Sequence, residues 1–165
     1  MSNDVAREIL VAGGRAIAHG DALRPTLQAL LDPIEGGDVG SAAIVIAGQD
    51  GALEIAASFG LDDAARAGLA TAIGRPTHPI ARTMHEATPT FNVLPTVPGG
   101  PVLRSHLPLV MTRAGTDSVL GVLALAHDKP IDPAMRPVLA AVADLAAVAV
   151  ERGSHASIPR TGYAP

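Results

Sequence analysis

Two apolar runs joined by a short polar turn dominate the centre of the chain, where residues 101–128 read PVLRSHLPLVMTRAGTDSVLGVLALAHD. Val102–Met111 predicts one strand and Ser118–His127 a second. The intervening TRAGTD brings Ala114–Gly115, a pair that supplies the positive φ a hairpin turn requires. No polar side chain interrupts the second strand between Val119 and Ala126. A strand with two apolar faces belongs in the middle of a sheet that is covered on both sides.

The pattern before this hairpin alternates between helix and strand periods. Val5, Ile9, Ala12 and Ala16 form a stripe that predicts a helix over Asp4–His19, with Gly13–Gly14 as a break or a point of close approach. Leu23, Leu27, Leu30 and Leu31 mark a second helix, Ala22–Leu31, with Asp21 as its cap and Pro25 in its first turn. Ser41–Ala47 and Ala52–Phe59 predict a hairpin around GQDG. A helix over Ala64–Ile73 follows, capped by Asp62 or Asp63 and stopped by Gly74. Pro79 starts another short helix, and ATPTFNV reads as a short strand. The loop LPTVPGGP, rich in proline and glycine, is placed to act as a lid.

After the central hairpin the apolar pattern returns to a helical period. Met135, Val138, Val142, Leu145 and Ala149 repeat at three- and four-residue spacing, while Leu139, Ala146 and Val150 form a second stripe. One stripe suits the sheet, and the other calls for the first helix or a second copy of the chain. Gly153 is expected to end this helix, leaving residues 153–165 as a flexible tail. The domain is then residues 1–152, with its core over 20–152.

Composition narrows the functional classes. The chain has 165 residues, enough for one well-cored domain, and a net charge of −4. Lys129 is the only lysine and no basic cluster occurs, which argues against a nucleic-acid surface. Without cysteine there is no disulfide, thiol nucleophile or zinc–thiolate site. Asp4 and Glu8 stand where a signal peptide carries positive charge. The apolar run Pro137–Val150, interrupted by Asp144, falls short of the roughly 20 residues that span a bilayer. A cytoplasmic protein away from the membrane is the expectation.

The stretch HLPLVM…GVLALAHDKPIDPAMRPVLAAVADLAAVAVE resembles the closing part of GAF domains, with Pro108–Leu109 as the proline–leucine step and Gly121–Val122–Leu123 as the glycine step. IVIAGQDGALEIAASFGL is similar to that family's first hairpin, and GRPTHPIARTMHEATPTFN to the segment before its pocket loop. The resemblance covers about residues 20–152 and implies an α+β fold. That fold has a central antiparallel sheet of five to six strands, terminal helices on one face, and short helices and loops forming a ligand pocket on the other. It also implies a small-molecule sensing or dimerisation module; with no kinase, cyclase, phosphodiesterase or DNA-binding segment and no catalytic motif in the sequence, a free-standing domain that is not an enzyme is the expectation. The Asn-Lys-Phe-Asp-Glu signature of cyclic-nucleotide-binding members is missing, as are the cysteines of the chromophore-bearing and sulfoxide-reductase relatives.

Six residues are candidates for the pocket. His78 and Arg82, with His85 beyond them, are spaced four and three apart and would share one face of a helix starting near Pro79. They offer a cationic patch for a carboxylate or phosphate, or else a solvated face with Glu86. Arg104 and His106 alternate with Pro108 on one face of the first central strand, opposite Ser105, Leu107 and Leu109. Two polar groups in an apolar wall have the make-up of a ligand site; the alternative is a wetted strand face. Phe59 and Phe91, the only phenylalanines, sit at junctions near the pocket, or else plug the core. A neutral His106 also suits a haem iron, although aromatic scarcity disfavours a flat macrocycle. His127–Asp128 reads as a hydrogen-bonded strand end. The six histidines form no metal-binding spacing, and no nucleophile or phosphate-loop motif occurs. A small-molecule ligand with an anionic group and a homodimer through the terminal helices are the partners expected; the ligand's identity is unknown.

Overall fold

The computed structural model describes residues 3–18, 22–35, 38–95 and 102–156. Its elements are α1 (Asn3–Ala18), α2 (Leu23–Leu31), β1 (Val39–Ala47), β2 (Leu53–Phe59), α3 (Asp63–Ala72), α4 (Pro79–Glu86), β3 (Thr90–Val93), β4 (Leu103–Arg113), β5 (Thr116–His127) and α5 (Arg136–Ala156). Short 3₁₀ turns follow α2 and precede α5. The strands form one five-stranded sheet in the order β2-β1-β5-β4-β3, antiparallel throughout. The strand with two apolar faces, β5, is the central one.

Alternation along the strands divides the apolar side chains between two layers. Ile44, Leu107, Leu109, Leu123 and Leu125 face α1, α2 and α5, and bury against Ile9, Leu27, Leu30, Leu139, Val142 and Ala146. Ala43, Val45 and Val122 face the other way, toward Leu61, Leu69, Ile73, Ile80 and Met84 in and around α3 and α4. The architecture is thus α+β, with the terminal helices on one face and the short helices on the other.

Local chemistry explains most of the boundaries. Asp62 caps α3 by accepting from the Ala65 amide at 2.7 Å. The β4–β5 turn places both Ala114 and Gly115 at positive φ, 50° and 77°, the requirement of a two-residue turn that matches the twist of its strands. Gly121, beside an irregularity in the β4–β5 register, faces β1 so closely that an added Cβ would lie 2.3 Å from the Val45 carbonyl oxygen.

Several expectations are corrected. Gly13–Gly14 does not interrupt α1, and nothing approaches Gly14 within 4 Å of a would-be Cβ. The N-cap position of α2 is held by Ala22 without a side-chain hydrogen bond, while Asp21 lies outside the described residues. Helix α5 runs through Gly153 to Ala156. A Cβ at Gly153 would meet Leu23 at 3.1–3.2 Å, so this glycine lets α2 and α5 approach and does not end the helix. Residues 157–165, the rest of the expected tail, lie outside the described residues. Both stripes of α5 are engaged within the chain, with Leu139, Ala146 and Val150 buried alongside Val142 and Ala149. The unpartnered stripe that suggested a second copy is therefore absent from α5. By length and composition the segment Pro133–Gly153, mean hydropathy 1.5, is enough to cross a membrane, contrary to the expectation drawn from the shorter run Pro137–Val150. In this fold it is the principal core helix.

Two polar arrangements fasten the layers. The exposed side of β2 is occupied by α2: Gln28 donates to the Ser58 carbonyl at 3.1 Å and accepts from the Ser58 amide at 3.3 Å, while Arg24 donates to the Ile55 carbonyl at 3.0 Å. At the other end, buried His127 lies 2.7 Å from the Lys129 carbonyl through Nδ1, which must carry the proton. Its Nε2 then accepts from the Ser105 hydroxyl at 2.8 Å, and Ser105 Oγ accepts from the Asn92 amide at 3.1 Å. Asn92, at φ 57°, accepts through Oδ1 from the Ile131 amide at 2.8 Å. The His127 strand end is thus a hydrogen-bonded junction between β3, β4, β5 and the approach to α5.

Candidate functional site

The face of the sheet opposite the terminal helices is only partly filled, because β1 and β5 present alanines there. Ala43 and Ala124 leave a space between the sheet and the α3–α4 layer, walled by Leu61, Leu69, Ile80 and Val102. Its volume is about 530 Å³, within the range of small-molecule sites. Of the loop expected as a lid, residues 96–101 lie outside the described residues. Pro95 and Val102, which flank it, line the cavity.

Three polar side chains converge on this space. Arg104 and His106 come from alternate positions of β4, which places their Cα atoms about 6–7 Å apart on one face. Arg104 is exposed, whereas His106 is only 6% accessible and lies deeper. His78 comes from the start of α4, where it serves as the cap: its Nδ1 accepts from the Ile80 amide at 3.2 Å. That bond leaves the other ring nitrogen of neutral His78 as a donor. Ser41 adds a hydroxyl at the wall.

The electrostatics of the cavity are one-sided. No aspartate or glutamate is among its described lining residues. Each of the ion pairs Arg24–Glu54, Arg82–Glu86, Arg113–Glu151 and Lys129–Asp38 joins a cation to a carboxylate outside the cavity; Arg104 is in none of them. Burial pushes His106 down to about 4, with His78 and then Arg104 adding to the effect. His78 is lowered as well, by burial first and then by Arg104 and Arg75. Both rings are therefore neutral at pH 7, in a space whose formal charge comes from one guanidinium.

Of the six candidates, His78, Arg104 and His106 line the cavity. The other three fall elsewhere. Arg82 points to solvent and pairs with Glu86 at 3.4 Å, and His85 is exposed too. The shared helical face of His78, Arg82 and His85 does not form, because His78 precedes the helix and caps it. Phe59 is buried on the opposite face of the sheet, in the core under the terminal helices. Phe91 packs against that same core, with the Arg136 guanidinium carbon 4.7 Å from its ring centroid. The alanines that make room, Ala43 and Ala124, and the walls Leu61 and Leu69 escaped the sequence reading. Their signal was an unusual density of alanine on otherwise apolar strands.

Comparison with models of protein families and with curated protein sequences gives no match. Solved structures do match over nearly the whole chain. One is the GAF domain of a phosphoenolpyruvate-protein phosphotransferase from Acinetobacter, with a TM-score of 0.68, 17% identity, and coverage of 95% of this chain and 98% of that one. A second is the GAF domain of a phosphoenolpyruvate-protein phosphotransferase from Coxiella burnetii, with a TM-score of 0.66, 12% identity, and coverage of 92% and 97%. Residues 122 to 287 of a methyl-accepting chemotaxis protein match at a TM-score of 0.57 and 14% identity, over 93% and 99%. At these identities the likeness is one of fold.

Proposed function

We propose that this chain, which has the GAF fold, is a non-catalytic sensing module whose cavity takes a small molecule bearing an acidic group. One observation carries the reading: an arginine outside the ion pairs and two imidazoles converge on an apolar cavity that has no carboxylate in its described wall. A guanidinium in that position is a ready partner for a carboxylate or phosphate. The alternative, an interaction domain with a collapsed pocket, would have Phe59, Phe91 and leucines filling the space and Arg104 and His106 solvated; Arg104 is exposed, as that reading also expects. The phenylalanines pack on the other side and His106 is buried, which favours the sensor.

The test is native mass spectrometry of gently purified protein, followed by replacement of Arg104. An adduct retained by the wild type and lost from Arg104→Ala is the expected result. Affinity for the recovered compound should fall roughly 10- to 100-fold, the worth of one charge-assisted hydrogen bond. Unchanged affinity in Arg104→Ala would remove the anchor.

The reading includes a homodimer through the helical layer, with a change in helix packing as the output. With α5 covered, its support lies on α1, where Leu10 and Val11 are 47% and 44% exposed beside buried Ile9. Sedimentation should show a dimer at micromolar concentration and a folded monomer for Leu10→Glu combined with Val11→Glu. A wild-type monomer at high micromolar concentration would end this part of the proposal.

A further inference from the structure

Apart from Ser41, His78, Arg104 and His106, the described wall of the cavity is built from leucine, isoleucine, valine, proline and alanine, with no phenyl, phenol or indole ring. The aliphatic part of such a wall matches a branched or linear hydrocarbon and offers a planar ring system no phenyl, phenol or indole face to stack on. Ring nitrogens of His106 make no hydrogen bond in the described structure and are not sealed off as unsatisfied buried atoms, so they reach the cavity. Among the described lining residues there is no carboxylate to compensate His106; on α4, Arg82, His85 and Glu86 are exposed, and Glu86 pairs with Arg82. The strand of His106 carries Arg104, the segment before α4 carries Arg75 and His78, and the partners of His106 are Thr90 on β3 and Ala124 on β5.

We infer, building on the acidic-ligand reading above, that the cavity takes an aliphatic carboxylic acid and that His106 binds a proton as the carboxylate enters. Arg104 holds the carboxylate at the outer end, and His106 supplies a second, newly charged donor at the inner end. The step balances simply: the acid arrives ionised, one proton comes from solvent onto a ring nitrogen, and an imidazolium–carboxylate pair forms. In the empty cavity burial and neighbouring positive charge keep His106 neutral. A carboxylate within hydrogen-bond distance reverses both the sign of the local field and the direction of the shift. The cavity then responds to acid concentration and pH together.

The experiment uses the full chain with butanoate, 4-methylpentanoate, benzoate and inorganic phosphate as probes. Calorimetry in buffers of different ionisation enthalpy counts the protons taken up, and the His106 ring proton followed by NMR reports its titration. The expected result is binding of 4-methylpentanoate in preference to benzoate, with close to one proton taken up per ligand near pH 6. Affinity should rise about tenfold per pH unit of acidification above about pH 5, where the acid is ionised. In His106→Gln the proton uptake should vanish while weaker binding through Arg104 persists. Binding of 4-methylpentanoate with no proton uptake and an unmoved His106 would overturn the proton-linked part and leave the acidic-ligand reading standing. Tighter binding of benzoate or phosphate would overturn the aliphatic carboxylate assignment. No binding by any of the four would overturn this inference. If Arg104→Ala also keeps its adduct, the acidic-ligand reading falls separately.

Discussion

Replacing Gly121 with alanine is expected to destabilise the fold by about 3 kcal/mol, lowering the melting temperature by roughly 10 °C. The new Cβ would lie 2.3 Å from the Val45 carbonyl oxygen and 3.2 Å from Ile46 Cα. Both are backbone atoms of β1, held in register with β5 through the pair Ile46–Gly121 and its neighbours. No flexible side chain can turn aside. Relief requires moving one central strand of the sheet against the other. Gly68→Ala supplies a control of opposite sign. It lies inside α3 with nothing within 4 Å of the added atom, so alanine should stabilise the helix by about 1 kcal/mol. Urea unfolding of the three proteins measures both effects. A Gly121→Ala variant as stable as the wild type would mean that the strands do not approach this closely.

The second large effect is a loss of stability on acidification. His106 titrates at about 4 in the folded chain, against 6.5 for the unfolded one, because burial and nearby positive charge disfavour its charged form. Below 6.5 the unfolded chain therefore binds a proton that the folded chain does not. Stability is fully present above that value, declines as pH falls toward 4, and levels off below. The gap is worth roughly 3 kcal/mol. His78 contributes in the same direction. Unfolding free energies measured between pH 7.5 and 4.5 should fall steeply for the wild type and about 3 kcal/mol less for His106→Gln. Parallel losses in the two proteins would show that His106 is not held neutral. A bound acid should flatten the wild-type curve, since it compensates the charge that burial resists.

Much of this arrangement is legible in the residues. The unbroken apolar run of β5 placed it at the centre of the sheet, and alternation along β4 separated Arg104 and His106 from Ser105, Leu107 and Leu109. Both inferences need only the two-residue period of a strand and the cost of exposing apolar surface. The site was harder to read because its members meet across long sequence separations. His78 and His106 belong to different layers, and no local spacing relates them. Helical periodicity grouped His78 with Arg82, but Pro79 fixes the helix start one residue later and turns His78 into a cap. Phe59 and Phe91 were drawn to the pocket by their rarity and their places at element junctions. Which face of the sheet they occupy depends on register, which is irregular in the β1–β2 pairing between Ile44 and Val45 for Phe59 and in the β3–β4 pairing between Thr90 and Val93 for Phe91. Gly153 misled for a similar reason. Its value lies in contact with Leu23, which a chain read in one dimension does not show.

The side chain of Gln28 reproduces, with one amide group, the pair of hydrogen bonds that a neighbouring strand would offer to Ser58. Arg24 takes the Ile55 carbonyl, so side chains of α2 occupy part of the β2 edge that a further strand would use. The far edge is shut by different means: β3 is four residues long, preceded by Pro89, and turned out of extended geometry at Asn92. A sheet sealed on both sides resists growth by strand addition, the usual route by which such edges aggregate. The proposed dimer is thus left to the helical layer, and its proposed output to helix packing.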